Sequence, residues 1–238
     1  MAAWKLGVTV AAGAATIWSA PAPAPVIPAL CDAFGIRRRL DGHGIALTFD
    51  DGPHPQGTPA VLAELERRRV PATFFLVGEQ VERHPTLAAE IVAAGHEIAL
   101  HGHAHTLLLR RRPGALERDL DRALDAIGEA TGISPAIYRP PYGVFSTAGL
   151  ALCRRRGWAP VLWSRWGRDW GARETPTAIA ARAAAGAVPG DIVLLHDADY
   201  YSSAGSWRRT VAALPTILEV LLATGSPLVT LTAGRVSA

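Results

Sequence analysis

IALTFDDGPHP, residues 45–55, ends an apolar run on two adjacent carboxylates and follows them at once with Gly52-Pro53. IALTFD has the length and the β-branched and aromatic content of a strand. Consecutive side chains of a regular strand face opposite ways, so Asp50 and Asp51 can reach one site only where the strand stops. Pro53 enforces that stop, because it has no N–H for a ladder and restricts the residue before it. Two carboxylates this close repel, and ionising both is costly if they are partly buried. A bound cation would remove that cost, and its other ligands must then lie elsewhere in the chain.

The strand-then-helix pattern repeats downstream. ATFFLV, HEIALH, AIYRP, APVLWS, DIVLLHD and PLVTLT read as further strands. TPAVLAELERRR, TLAAEIVAAG, ALERDLDRALDAIGEATG, TAGLALCRRRG, TPTAIAARAAAG and WRRTVAALPTILEVLLATG read as the helices between them. Seven strands alternating with six helices predict an α/β fold with a parallel sheet. That number of units favours a distorted, TIM-like (β/α)7–8 barrel over an open doubly wound sheet. No glycine-rich dinucleotide loop follows the first strand, and DDGPHP puts carboxylates where a phosphate site needs free amides.

A chain of 238 residues with 49% hydrophobic content can bury one large core. A net charge of +3 makes nucleic acid a poor partner. Lys5 is the only lysine, and arginine triplets stand at Arg37–Arg39, Arg67–Arg69, Arg110–Arg112 and Arg154–Arg156. Two of the triplets close predicted helices, where cations complement the helix dipole. Cys31 and Cys153 are far apart and outside any C-x-x-C pattern. Cys153 falls in a predicted helix and is expected to be buried, with a disulfide to Cys31 left open. At the N-terminus Lys5 precedes a 13-residue apolar run, Leu6 to Trp18, and then SAPAPAPVIPAL. The run is shorter than the ~20 residues that span a bilayer and fits the apolar region of a secretory signal. Residues 1–40 are read as a signal-like or anchor segment with a Pro/Ala-rich linker, and 41–238 as the catalytic domain. A secreted or cell-envelope location is expected, with a retained, membrane-associated N-terminal anchor as the alternative.

Asp50 and Asp51 end the first predicted strand, His101 the third, Arg139 the fourth and His196 the sixth. In a barrel these are C-terminal strand ends, where the βα loops build active sites. HGHAH contains His-x3-His, which puts His101 and His105 on one side of a helical turn. Two imidazoles and the Asp51 carboxylate form a zinc-type set with an open position for water. Asp50 then stays unligated, ready to take a proton from that water. His103 points elsewhere on such a turn and, with His43, His84 and His96, is read as structural or surface. His54 is given no role.

TFDDGP, HGHAH, RPPYG, RDW and LLH occur in the order of five motifs of a known family. From Ile45 to Thr232 the chain resembles the polysaccharide deacetylases with the NodB-type homology domain, carbohydrate esterase family 4. The resemblance implies a metal-dependent hydrolase that removes acetyl groups from N-acetylated amino sugars of a cell-envelope or related polysaccharide. It implies Asp50 as general base and Asp51, His101 and His105 as metal ligands. Zn²⁺ is the expected ion, and such a set also accepts Co²⁺, Ni²⁺ or Mn²⁺. Arg139 would hold Asp50 charged and oriented, and the backbone N–H of Tyr142 would donate to the oxyanion. Asp169 would keep His196 protonated as general acid. Leu194 and Trp170 would wall in the acetyl methyl. The implied partner is an acetylated polysaccharide or oligosaccharide. Two alternatives stand beside this reading: an O-acetyl ester hydrolase acting on acetylated xylan, and a non-catalytic glycan-binding protein on the same scaffold.

One position departs from the family's pattern. Many members carry Ser or Thr after the first histidine of the metal motif, where this chain has Gly102, so the loop is expected to be held in some other way. Trp163 reads as core, while Trp166 and Trp170 fall between core and sugar platform. Asp197 and Asp199, in HDADYYSSAGSW, are expected to be solvated.

Overall fold

The computed structural model of the chain describes residues 18–236. The signal-like run before Trp18 lies outside the described residues. One sheet contains β1 (Ile45–Asp50), β2 (Thr73–Leu76), β3 (Glu97–Leu100), β4 (Ile137–Tyr138), β5 (Ala159–Pro160), β6 (Arg165–Trp166), β7 (Ile192–His196) and β8 (Leu228–Val229). The order is β5-β4-β3-β2-β1-β7-β6, with β8 beside β1. Every pair is parallel. The sheet curls into a distorted barrel as expected, and the gap between its edge strands is bridged from outside the repeat. Arg37 forms a parallel bridge with Val161, and Arg39 an antiparallel one with Asp191.

The segment APVLWS does not form one strand. Ala159 and Pro160 pair with β4, and Arg165 and Trp166 pair with β7. Between them Leu162 N donates to Arg37 O at 2.7 Å, so the N-terminal segment takes the ladder that a neighbouring strand would have used.

The helices are α1 (Pro28–Phe34), α2 (Gly57–Arg68), α3 (Gly78–Arg83), α4 (Pro85–Ala93), α5 (Pro113–Thr131), α6 (Thr147–Arg156), α7 (Pro176–Ala184) and α8 (Ser206–Ala223). The short α3, GEQVER, has too few apolar residues to show a helical stripe in the sequence. In α5, Leu116, Leu120, Ala123 and Ile127 recur at helical spacing and are buried, while the charged residues between them, Asp119 excepted, face outward. Burying such a leucine contributes about 1.5–3 kcal/mol, which outweighs the weak intrinsic preference of the charged positions. Strand β1 is buried along its whole length.

The Pro/Ala-rich stretch read as a linker is packed on the barrel. Trp18 Nε1 donates to Leu109 O at 3.3 Å. Cys31, Ile36 and Leu40 are buried, and Arg39 Nη1 meets Asp191 Oδ1 at 2.7 Å. Cys31 and Cys153 are both buried free thiols. Burial pushes the Cys153 thiol up to about 12, which makes it inert as a nucleophile at neutral pH. Among the described residues no helix is long and apolar enough to cross a membrane.

Candidate active site

Asp50, Asp51, His101 and His196, picked out at the strand ends, line one cleft of about 370 Å³, and Arg139 lies buried behind Asp50. Asp50 closes β1, with Phe75 as its register partner on β2 and His196 on β7. Its Oδ1 accepts from Arg139 Nη1 at 2.6 Å. The same Nη1 lies 3.0 Å from Thr48 Oγ1, and Nη2 donates to Leu162 O at 3.0 Å. The Arg139 guanidinium is fully buried, 3.9 Å above the Phe75 ring. With three polar partners and an aromatic face it can adopt little but this pose, and Asp50 is fixed with it.

Beyond Asp50 the strand stops, as Gly52-Pro53 requires. Asp51 has φ +80°, the Gly52-Pro53 peptide is cis, and both carboxylates line the cleft. A Cβ on Gly52 would lie 2.5 Å from Asp197 Oδ2, so no larger residue fits the turn. Asp51 Oδ1 stands 3.4 Å from His101 Nε2 and 3.2 Å from His105 Nε2.

The donor set fits a divalent ion. His101 Nδ1 lies 2.8 Å from Arg139 O, a carbonyl that can only accept, so the ring proton is on Nδ1 and the Nε2 lone pair faces Asp51. Asp51 Oδ1 is buried and makes no hydrogen bond. Ligand atoms of Asp51, His101 and His105 all fall within 4.8 Å of one another. Lone pairs converging on one buried point, with no donor between them, match a cation better than a hydrogen-bonded cluster.

Gly102 is accommodated by another route. It has φ +93°, a conformation that strains any side chain. Asp119 of α5 accepts from His103 N at 3.0 Å and from Ala104 N at 3.2 Å. From the other side Gly78 N donates to Gly102 O at 2.9 Å. His103 turns away to Glu82, Nε2 to Oε1 at 3.0 Å, which agrees with its reading as a bystander.

Across the cleft, His196 ends β7. Its Nδ1 is 2.9 Å from Asp169 Oδ1, and Asp169 Oδ2 accepts from His196 N at 2.8 Å and Thr210 Oγ1 at 2.7 Å. Burial opposes the charged imidazole, but the Asp169 carboxylate beside it prevails and raises His196 to about 10. Trp163, Trp166, Trp170 and Leu194 line this side, and Tyr142, at φ +61°, lines the other.

Two residues in the loop after β7 are not as the sequence reading had them. Asp197 is fully buried rather than solvated, and Thr58 Oγ1 donates to its Oδ2. Burial raises its carboxyl to about 7. Asp199 is half-buried, accepting from Gly205 N at 2.6 Å. The third residue of interest, Tyr201, was not singled out in the sequence at all. It lines the cleft and stacks on His105, ring centroids 4.1 Å apart. No spacing signal points to a tyrosine that reaches its partner across two loops.

Fold and cleft together place the chain among the β/α-barrel hydrolases that work at the C-terminal ends of their strands. The profile of the family described as Polysaccharide deacetylase matches residues 37–161. A chitooligosaccharide deacetylase of Bradyrhizobium sp. (strain ANU 289) is 38% identical over 199 residues, 79% of this chain and 90% of its own length. A peptidoglycan-N-acetylglucosamine deacetylase of Bacillus cereus is 38% identical over 191 residues, 78% of this chain and 85% of its own. Among solved structures, the Bc1960 peptidoglycan N-acetylglucosamine deacetylase superposes with a TM-score of 0.80 at 27% identity, covering 87% of this chain and 95% of that one. The chain belongs to the polysaccharide deacetylase family, carries its NodB homology domain, and is a hydrolase of that class.

Proposed function

We propose that the protein removes acetyl groups from N-acetylated amino sugars of a cell-envelope or related glycan, exported by its signal-like N-terminus and using a divalent ion, Zn²⁺ by donor type. The observation that carries this reading is the convergence of Asp51, His101 and His105 beside an Asp50 whose Oδ1 is held by Arg139 and whose Oδ2 stands 3.8 Å from His101 Nε2. An ion bound there would lower the pKa of water and polarise the acetyl carbonyl. The chain's own groups supply the rest. Asp50 takes the proton of the attacking water. The Tyr142 backbone N–H donates to the oxyanion. His196, kept charged by Asp169, delivers a proton to the departing nitrogen. Arg139 beside the base fixes its orientation, and Asp169 beside the acid keeps it charged. Trp170 and Leu194 enclose the acetyl methyl, and the relatives' names support an N-acetylglucosamine substrate.

The test is acetate release from N-acetylglucosamine oligomers and from acetylated xylan, with and without chelator. Chelator-sensitive release from the oligomers is expected. Release from xylan alone would make the protein an ester hydrolase, and no release from any acetylated glycan by protein with a filled metal site would make it a binding protein. His105→Ala is expected to lose bound metal by elemental analysis and all measurable activity while its circular dichroism is unchanged.

A further inference from the structure

The two imidazoles of the metal set are held in different ways. His101 is oriented by a hydrogen bond from Nδ1 to Arg139 O at 2.8 Å. A partner of this kind is what a metal-binding histidine ordinarily has, because it fixes both the tautomer and the ring plane. His105 has none: its Nδ1 is buried and makes no hydrogen bond. Asp51 Oδ1 meets the His105 ring at Nε2, and aromatic side chains pack on it. Tyr201 lies flat against it, centroids 4.1 Å apart and planes 7° from parallel, and Tyr142 meets it edge-on at 4.6 Å. Tyr142 is 57% exposed and gives little restraint. Tyr201 is anchored at its far end, where its hydroxyl donates to Glu79 Oε1 and accepts from Gln80 Nε2 at 2.9 Å. Gln80 is itself buried, and Arg83 Nη1 contacts its Oε1 at 3.3 Å.

We infer that Tyr201 is the positioning residue of His105, replacing by ring stacking the hydrogen bond that orients His101. The loop after β7 and the start of α3 thereby set the geometry of a ligand that belongs to the β3 loop. The device works only if the ring is flat on the imidazole and cannot swing, and the Glu79–Gln80 grip on the hydroxyl supplies that. This role rests on the proposed metal site.

The test uses the full chain with Co²⁺ as probe. Metal dissociation constants come from chelator competition, and the visible Co²⁺ spectrum reports ligand geometry, for wild type, Tyr201→Leu and Tyr201→Phe. Losing the orienting partner of a metal histidine typically weakens metal binding ~10–100-fold. Tyr201→Leu is expected to fall about tenfold or more in Co²⁺ affinity with a changed spectrum, at an unchanged apoprotein melting temperature. Tyr201→Phe keeps the ring but not its anchor and is expected to lie between the two. Should Tyr201→Leu not fold, imidazole nitrogen resonances of apo Tyr201→Phe replace it: His105 is expected to broaden relative to wild type while His101 stays sharp. Wild-type affinity and spectrum in Tyr201→Leu, or an unchanged His105 resonance in Tyr201→Phe, would overturn the role. Failure of the wild type to bind Co²⁺ at all would instead sink the metal site beneath it.

Discussion

The two sides of the cleft are built on different principles. On the β1–β3–β4 side, Asp50 is clamped by Arg139, which is itself buried between strands, and His101 is bonded to the backbone of the next strand end. On the β6–β7 side, His196 depends on Asp169 from a loop, and the wall is made by Trp166, Trp170 and Tyr201. The loops on this side are tied to each other: Ser203 N and Oγ donate to Trp170 O at 3.2 and 2.7 Å. Strand register positions the groups that must not move. Loops, which can vary without unmaking the sheet, shape what the cleft accepts. The lesson is that mutations of the strand-end groups should abolish chemistry, whereas those of the loop residues around them should retune it.

The sharpest way to break this contrast is Asp50→Asn. It keeps the shape beside Arg139 and removes the base, so acetate release is expected to fall ~10²–10⁴-fold with little change in fold. Near-wild-type turnover would show that the strand side does not carry the proton transfer. Next comes Asp169→Asn, on the acid side. The His196 imidazole is raised from 6.5 to about 10 in the folded protein. The stability and the acid function it brings are therefore complete below 6.5 and lost as pH rises through the folded value. A bound dication near Asp51 works against that rise, so the alkaline limb of the loaded enzyme should lie below 10. Asp169→Asn is expected to shift this limb further toward neutrality. A pH–rate profile with an unmoved limb would detach Asp169 from the acid.

Asp119→Ala tests the brace under the Gly102 loop. Two backbone donors lose their acceptor, and unsatisfied buried groups cost about 1–3 kcal/mol, so denaturant titration should show a loss in that range. No loss would mean that the α3 contacts, Gly78 N to Gly102 O and Glu79 N to His103 O, hold the loop without it. The smallest effect is expected from Trp166→Ala. Aromatic contacts add about 0.5–1.5 kcal/mol beyond area burial, so KM should rise ~2–12-fold with kcat nearly unchanged. A collapse of kcat would move Trp166 from the wall to the reacting groups.

Much of this arrangement was legible in the chain itself. Hydrophobic runs between Gly and Pro punctuation are local signals, so the long strands and helices could be read directly. The same punctuation put Asp50, Asp51, His101, Arg139 and His196 at strand ends, and a parallel barrel brings such ends to one face. What escaped were features with no local period: α3, the divided APVLWS segment, and the packing of residues 18–40 on the barrel.

The amino-acid sequence by itself determined the class of fold, the family, and which side chains stand at the mouth of the barrel, because those depend on period, punctuation and motif order. Only the tertiary structure decided that Asp197 is buried under Gly52, that Asp119 braces the loop after Gly102, and that Tyr201 lies on His105. Each of these joins residues far apart in the chain through loops, and a contact of that kind exists only after the strands have brought the loops together.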